Sequence, residues 1–264
     1  MNDQPQQSLI SAHGLGFGYP GKAVGRGVNF DVNSSEVVCL LGPNGSGKTT
    51  LFKTLLGLIA PQAGSVMIGA APLKSLSRQE IARAIAYVPQ AHAAHFPYRV
   101  IDMVVMGRTA HLGPFAAPSP VDRAKAHDAL ALLGIDDLAD RPYTRISGGQ
   151  RQMALIARAL AQETRLIVMD EPTASLDFGN QVKVLSQVKQ LATRNFGIIL
   201  STHAPDHAFA TASRVLLLHN GSLIADGPPS RVLTPEKLRI VYGVNVTIET
   251  IAGGHTVCAP EYLS

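Results

Sequence analysis

At 264 residues, with a formal net charge of +4 and hydrophobic residues making up 46%, the chain is long enough to bury a core without disulfide or metal staples. No apolar run approaches the roughly 20 residues of a membrane-crossing helix, which excludes a pore, and the positive charge forms no Lys/Arg block, which argues against nucleic acid and suits phosphate ligands. Charged residues make up 16%, below the ~25% usual in soluble domains; a surface partly covered by another subunit and simple alanine enrichment both account for this.

Taken from the beginning, residues 1–7 offer neither a basic nor an apolar stretch, so no secretory signal is expected and the predicted location is the cytoplasm. Residues 9–33 and 64–69 read as antiparallel strands. Residues 36–41 form an unbroken apolar run, as do 166–169 and 198–200, the pattern of strands covered on both faces of a parallel sheet. Cys39 lies inside the first run, far from Cys258, and is expected to be a buried thiol rather than half of a disulfide. Helical periodicity spans 48–59, closed by Pro61, then 121–133, closed by Gly134, and 148–161. It returns over 179–194 with Val182, Leu185, Val188 and Leu191 on one face, and the stretch from about 89 to 165 is mostly helical. Residues 216–226, around Asn220-Gly221, read as a hairpin with a primed turn. The result is an α/β fold in which the three covered strands deliver their polar endings to one crevice.

Those endings carry the chemistry. Gly42-Pro43-Asn44-Gly45-Ser46-Gly47-Lys48-Thr49 fits G-x-x-x-x-G-K-[ST], after a predicted strand and at the start of a predicted helix. Such a loop turns backbone N–H groups toward a β-phosphate, and the helix N-terminus adds partial positive charge. Lys48 supplies a point charge for the β- and γ-phosphates, Thr49 a hydroxyl for magnesium, and Thr50 completes the set. A chance glycine-rich turn can match this motif alone. After the run 166–169 come two adjacent carboxylates, Asp170 and Glu171, costly at the end of a buried strand unless a cation or a proton transfer employs them. Asp170 is expected on magnesium, directly or through its water shell. Glu171 is expected to polarise the attacking water. Helix capping by this pair is the competing reading, and Pro172 weighs against it.

Ile146-Ser147-Gly148-Gly149-Gln150 resembles the signature of ABC-transporter ATPases, and it too can be read simply as a Ser-capped helix start. The resemblance covers about residues 8–245 and implies a P-loop NTPase with a RecA-like parallel-sheet core, an N-terminal antiparallel β subdomain and a helical subdomain. One ATPase domain over 1–245 is expected, with the helical part at about 90–165 and a short tail at 246–264. The family's arrangement implies a homodimer sandwiching ATP, in which Ser147, Gly148, Gly149 and Gln150 of one copy close over the nucleotide of the other. Tyr19 resembles the aromatic stacked on adenine, and Gln90 the glutamine that senses magnesium and water. Ser175-Leu176-Asp177 resembles the loop crossing the dimer interface, and His203 the switch histidine on the γ-phosphate. Three positions depart from the family pattern: Ile146 replaces a leucine, Ser35 a glycine and Ala204 an aspartate.

Residues 100–108 and 238–244 resemble the ATPases of importers of iron-siderophore, haem and cobalamin, and of their molybdate-importing relatives. That likeness implies two transmembrane permease subunits, an extracytoplasmic substrate-binding protein and a position on the inner face of the cell membrane. Docking is expected over about 90–120, where Phe96, Pro97, Tyr98, Met103 and Met106 can equally be core. A non-transport role in iron-sulfur assembly is the rival reading. The cargo itself is not encoded in this chain.

Overall fold

The computed structural model describes residues 8–90, 96–113 and 115–261. In chain order, β1 (Ile10–Tyr19), β2 (Lys22–Val32), β3 (Val37–Leu41) and α1 (Lys48–Leu55) are followed by β4 (Ala63–Ile68), β5 (Ala71–Pro72), α2 (Arg78–Ala84) and β6 (Ile85–Val88). Helices α3 (Val100–Val105), α4 (Pro120–Leu132) and α5 (Gly148–Ala161) lead to β7 (Leu166–Met169), α6 (Phe178–Thr193), β8 (Gly197–Thr202) and α7 (Pro205–Thr211). The chain continues through β9 (Arg214–His219), β10 (Ser222–Gly227), α8 (Pro229–Val232), α9 (Pro235–Tyr242), β11 (Val246–Ile251) and β12 (His255–Pro260).

The central sheet runs β10-β9-β3-β8-β7-β6, with β9, β3, β8, β7 and β6 parallel and β10 antiparallel at one edge. Alternation along its strands divides the interior in two. Val37, Cys39 and Leu41 of β3, Ile167 and Met169 of β7, and Ile198 and Leu200 of β8 face a core shared with α3 to α7. Val38, Leu40, Val168 and Ile199 face the other way, against α1 and the four-stranded sheet β2-β1-β4-β5. Both faces are covered, which is why the sequence of these strands is apolar without interruption. The fold is therefore the expected one: a mixed α/β architecture with a parallel core, an antiparallel β layer and a helical layer.

Local chemistry sets the boundaries. Asn220 and Gly221 both have positive φ, 48° and 75°, as a two-residue primed turn between β9 and β10 requires. Ser77, Ser119 and Ser147 each head a helix in a reciprocal capping box with Glu80, Asp122 and Gln150. Helix α1 stops at Leu55, short of the expected Ile59, because Gly57 turns left-handed at φ 67°. Other parts of the fold escaped periodicity: β6 follows α2 with no turn residue between them, and the segment expected as a tail forms the hairpin β11-β12. Ser35, where the family pattern implied glycine, has φ 62°, a left-handed turn glycine enters without strain. Its hydroxyl donates to Asn195 Oδ1 at 3.0 Å.

A buried guanidinium ties the helical layer together. Arg108 donates to Asp122 Oδ1 at 3.0 Å, to Ala161 O at 2.7 Å and to Glu163 Oε2 at 2.7 Å. Hydrogen bonds from Ser119 and Arg108 hold the Asp122 carboxyl well below the usual carboxylate range. Of the expected docking residues, Phe96, Tyr98 and Met106 are exposed, whereas Met103 packs against the core. Residues 91–95 and 114 of that stretch lie outside the described residues.

Candidate nucleotide site

The loop between β3 and α1 is shaped by what surrounds it. Gly45 and Gly47 have φ of 79° and 104°, and Gly47 occupies the N-cap of α1. A Cβ at Gly42 would sit 2.4 Å from Leu218 O and 2.9 Å from Ser46 Oγ, so β9 behind the loop leaves room only for glycine. Lys48 is 5% exposed, with Nζ donating to Gly42 O at 2.8 Å and Pro43 O at 3.0 Å and lying 3.5 Å from Glu171 Oε1. Burial lowers its pKa, and the neighbouring Glu171 carboxylate opposes that shift. The Ser46 hydroxyl is buried without a hydrogen-bond partner in the protein.

Strands β7 and β8 supply the opposite wall. Ser201, on β8, donates to Asp170 Oδ1 at 2.6 Å and accepts from the Glu171 N–H at 2.9 Å, so one hydroxyl sets both carboxylate residues. Tyr87 on β6 donates to Asp170 Oδ2 at 3.5 Å. Desolvation, with Asp170 adding to it, raises the Tyr87 hydroxyl to about 12, which keeps it a donor. Glu171 adopts φ 45°, rare for a residue with a side chain. No helix begins at this pair, so capping does not explain it. His203, just past β8, is exposed, with Nδ1 3.6 Å from Glu171 Oε2. Lys48 and His203 thus reach the two oxygens of one carboxylate from opposite sides.

A cavity of about 720 Å³ opens here, lined by the expected Tyr19, Asn44, Gly45, Gly47, Lys48, Thr49, Thr50, Gln90, Asp170 and Glu171. Gly42, Pro43 and Ser46 complete the loop without lining it, and His203 stands beside it. Lys22, Ala23 and Val24 of β2 also line it. They belong to no motif, and their only signal is adjacency to Tyr19 across the β1-β2 turn. Ser201 and Tyr87, which hold Asp170, were legible only as neighbours of His203 and Gln90. Ser147, Gly148, Gly149, Gln150 and Asp177 are not among the cavity's lining. They gather where α5 meets the start of α6: a Cβ on Gly149 would strike Asn180, and Asp177 caps α6 by accepting from the Asn180 N–H at 2.8 Å.

These residues fit a magnesium nucleotide. A left-handed glycine cradle, a buried ammonium and an unpartnered Ser46 hydroxyl match phosphate oxygens. Among the described residues no cluster of three or more His, Cys, Asp or Glu forms a metal cage.

Residues 26–174 match the family model described as ABC transporter. The chain belongs to the ABC-transporter ATP-binding family. It is an ATPase of that family, whose domain binds ATP. It is 44% identical to an uncharacterised ABC transporter ATP-binding protein of Haemophilus influenzae, covering 89% of each chain. It is 39% identical to the molybdate import ATP-binding protein MolC of the same organism, covering 88% of this chain and 87% of that one. Its similarity to the hemin import ATP-binding protein HmuV of Thermobifida fusca is 37% identity over 91% and 84% of the two chains. Among solved structures, a chain of a metal-chelate type ABC transporter in an inward-facing conformation superposes with a TM-score of 0.85 at 35% identity, covering 97% and 98%. In this ABC ATPase no helix among the described residues is long and apolar enough to cross a membrane.

Proposed function

We propose that this ABC ATPase powers import of a metal chelate of the iron-siderophore, haem or cobalamin type through two separate permease subunits. It would work as a homodimer on the cytoplasmic face of the membrane, with an extracytoplasmic protein delivering the cargo. The observation that carries the proposal is the near-complete coverage of the metal-chelate type transporter chain, from the β1-β2 layer through the terminal hairpin. The similarity to MolC favours an oxyanion such as molybdate as the second reading. We assign residues 1–245 to one ATPase domain, with residues 90–165 as its helical part.

The roles follow from the chemistry of the cavity. Tyr19, exposed at its rim, offers a face for the adenine ring. Backbone N–H groups of residues 42–50, with Lys48, take the β- and γ-phosphates. Thr49, Asp170 and Gln90 would hold magnesium, which when bound neutralises phosphate charge. Glu171 orients water for attack on phosphorus and takes its proton, with the oxygen left on the β-phosphate facing Lys48. His203 donates toward the γ-phosphate and steadies Glu171. The N-terminus of α5, with Ser147, Gly148, Gly149 and Gln150, closes from the second copy, and Asp177 crosses to it. Binding energy that exists only in the closed pair is what drives the permease.

Docking is assigned to the stretch bearing the exposed Phe96, Tyr98 and Met106, and a groove of about 630 Å³ at Met106 is lined also by Leu112 and Phe115. The test is ATP hydrolysis by the complex purified from native membranes with this chain as bait. Addition of haem, a ferric siderophore, cobalamin or molybdate with the binding protein should stimulate turnover for one of these ligands. Recovery of the chain without a polytopic membrane protein would overturn the importer reading.

A further inference from the structure

Behind the Glu171–His203 pair lies a buried-side histidine that the mechanism above does not use. His207, in the first turn of α7, directs Nδ1 at the hydroxyls of Thr173 and Thr202, each 3.3 Å away. Thr173 is two residues past Glu171, and Thr202 immediately precedes His203; both are under 5% exposed. The Thr202 oxygen already accepts from the Ala204 N–H at 3.1 Å, so its proton is free for the ring. With the imidazole proton on Nε2, the single Nδ1 lone pair is shared by both hydroxyls in a three-centre hydrogen bond, which joins two loops that arrive on different strands. Burial lowers the pKa of the ring, and the nearby Asp206 carboxylate opposes that shift.

The junction matters because the loop it secures is strained. Glu171 at φ 45° and Ser175 at φ 61° are both left-handed, conformations that persist only where surroundings over-determine them. From the strand side the Glu171 N–H is held by Ser201, and beyond it Thr173 is held by His207. Helix α7 is itself fastened from outside, where the Cys258 N–H of β12 donates to Asp206 Oδ1 at 2.8 Å. A ring anchored there can hold Thr173 against Thr202 through turnover.

We propose that His207 is a positioning residue for ATP hydrolysis, a shared acceptor that sets Glu171 and His203 relative to each other through Thr173 and Thr202. This rests on the assignment of Glu171 and His203 to the γ-phosphate. A misplacement of about 1 Å at a reacting group can cost on the order of 10²-fold in rate, so loosening both loops has a measurable effect on turnover with little on nucleotide binding.

The experiment uses the full chain and MgATP, with kcat and KM measured separately for His207→Leu, His207→Asn, Thr173→Val and Glu171→Gln. Asn places an acceptor oxygen the same number of bonds from the backbone as Nδ1. His207→Leu should lower kcat about tenfold or more with KM within about twofold, and His207→Asn should recover kcat to within about threefold of the parent. Thr173→Val, which removes one arm alone, should lower kcat in the same direction, and it decides the matter if His207→Leu does not fold. Retention of kcat in the Leu or Val variant, a loss confined to KM or Tm, or failure of Asn to rescue would each overturn the proposal. If Glu171→Gln itself left turnover intact, the failure would lie in the underlying assignment instead.

Discussion

Glu171 holds a backbone conformation that few side-chain-bearing residues adopt, with its carboxylate between an ammonium 3.5 Å away and an imidazole 3.6 Å away. A general base is worth roughly 10² to 10⁴ in rate. Glu171→Gln should therefore reduce ATP hydrolysis at least a hundredfold while equilibrium binding of ATP changes little; a fall of less than about tenfold would remove Glu171 from that role. At Gly42 the constraint is steric. Gly42→Ala places a methyl 2.4 Å from Leu218 O, and because β9 cannot retreat, the loop must shift. The expected outcome is a nucleotide affinity about tenfold weaker or worse, measured by calorimetric titration. His207 makes stability depend on pH. Burial lowers its folded pKa below 6.5, so on acidification the unfolded chain binds the proton first. The folded state loses stability as pH falls from 6.5 toward the lowered value, while above 6.5 the group contributes nothing. Thermal melts between pH 7.5 and 5.5 should show a steeper acid-side decline in the parent than in His207→Asn.

At the scale of elements, the three helices with capping boxes contrast with α7, whose N-cap Ala204 offers no side-chain acceptor. Its backbone is extended, as an N-cap requires, and Pro205 follows at the first helical position. Ala204→Asp should stabilise the protein by about 1 kcal/mol, raising Tm by roughly 2–4 °C. An unchanged or lower Tm would mean that the new carboxylate is repelled by Glu171 or Asp206 more than it is held by the cap. The long, amphipathic elements were legible in advance: α5 coincides with its periodic segment, and α6 with its own to within one residue at each end. The short β6 and the β11-β12 hairpin were not. β6 follows α2 directly, with no Gly, Pro or other turn residue to mark the boundary, and the hairpin is fixed to α7 by a contact remote in sequence, the Cys258 N–H donating to Asp206 Oδ1.

For the whole molecule, the signature residues do not line the cavity of their own chain, although both sets of motifs lie on one polypeptide. Under the proposed function, a second copy would supply them, which is open to test. Glu171→Gln with ATP should double the molar mass measured by light scattering behind gel filtration, and adding Ser147→Arg should return it to the monomer. A monomer in both cases would refute the sandwich. The pairing is expected to require nucleotide, because the proposed closed state is held by contacts to phosphate that exist only when ATP is bound.

What residue order alone determined was the set of chemical parts and the class of fold. Unbroken apolar runs imply strands covered on both faces, and motifs at their ends imply a phosphate site, because strand ends in such sheets converge. The tertiary structure decided which groups orient those parts: Ser201 between Asp170 and Glu171, Tyr87 on Asp170, Lys22 to Val24 on the cavity wall, and His207 behind both loops. These are contacts between segments remote in sequence, made by common residue types with no periodicity of their own. The register of neighbouring strands, and the packing of α7 and the β1-β2 layer against them, brings these groups together.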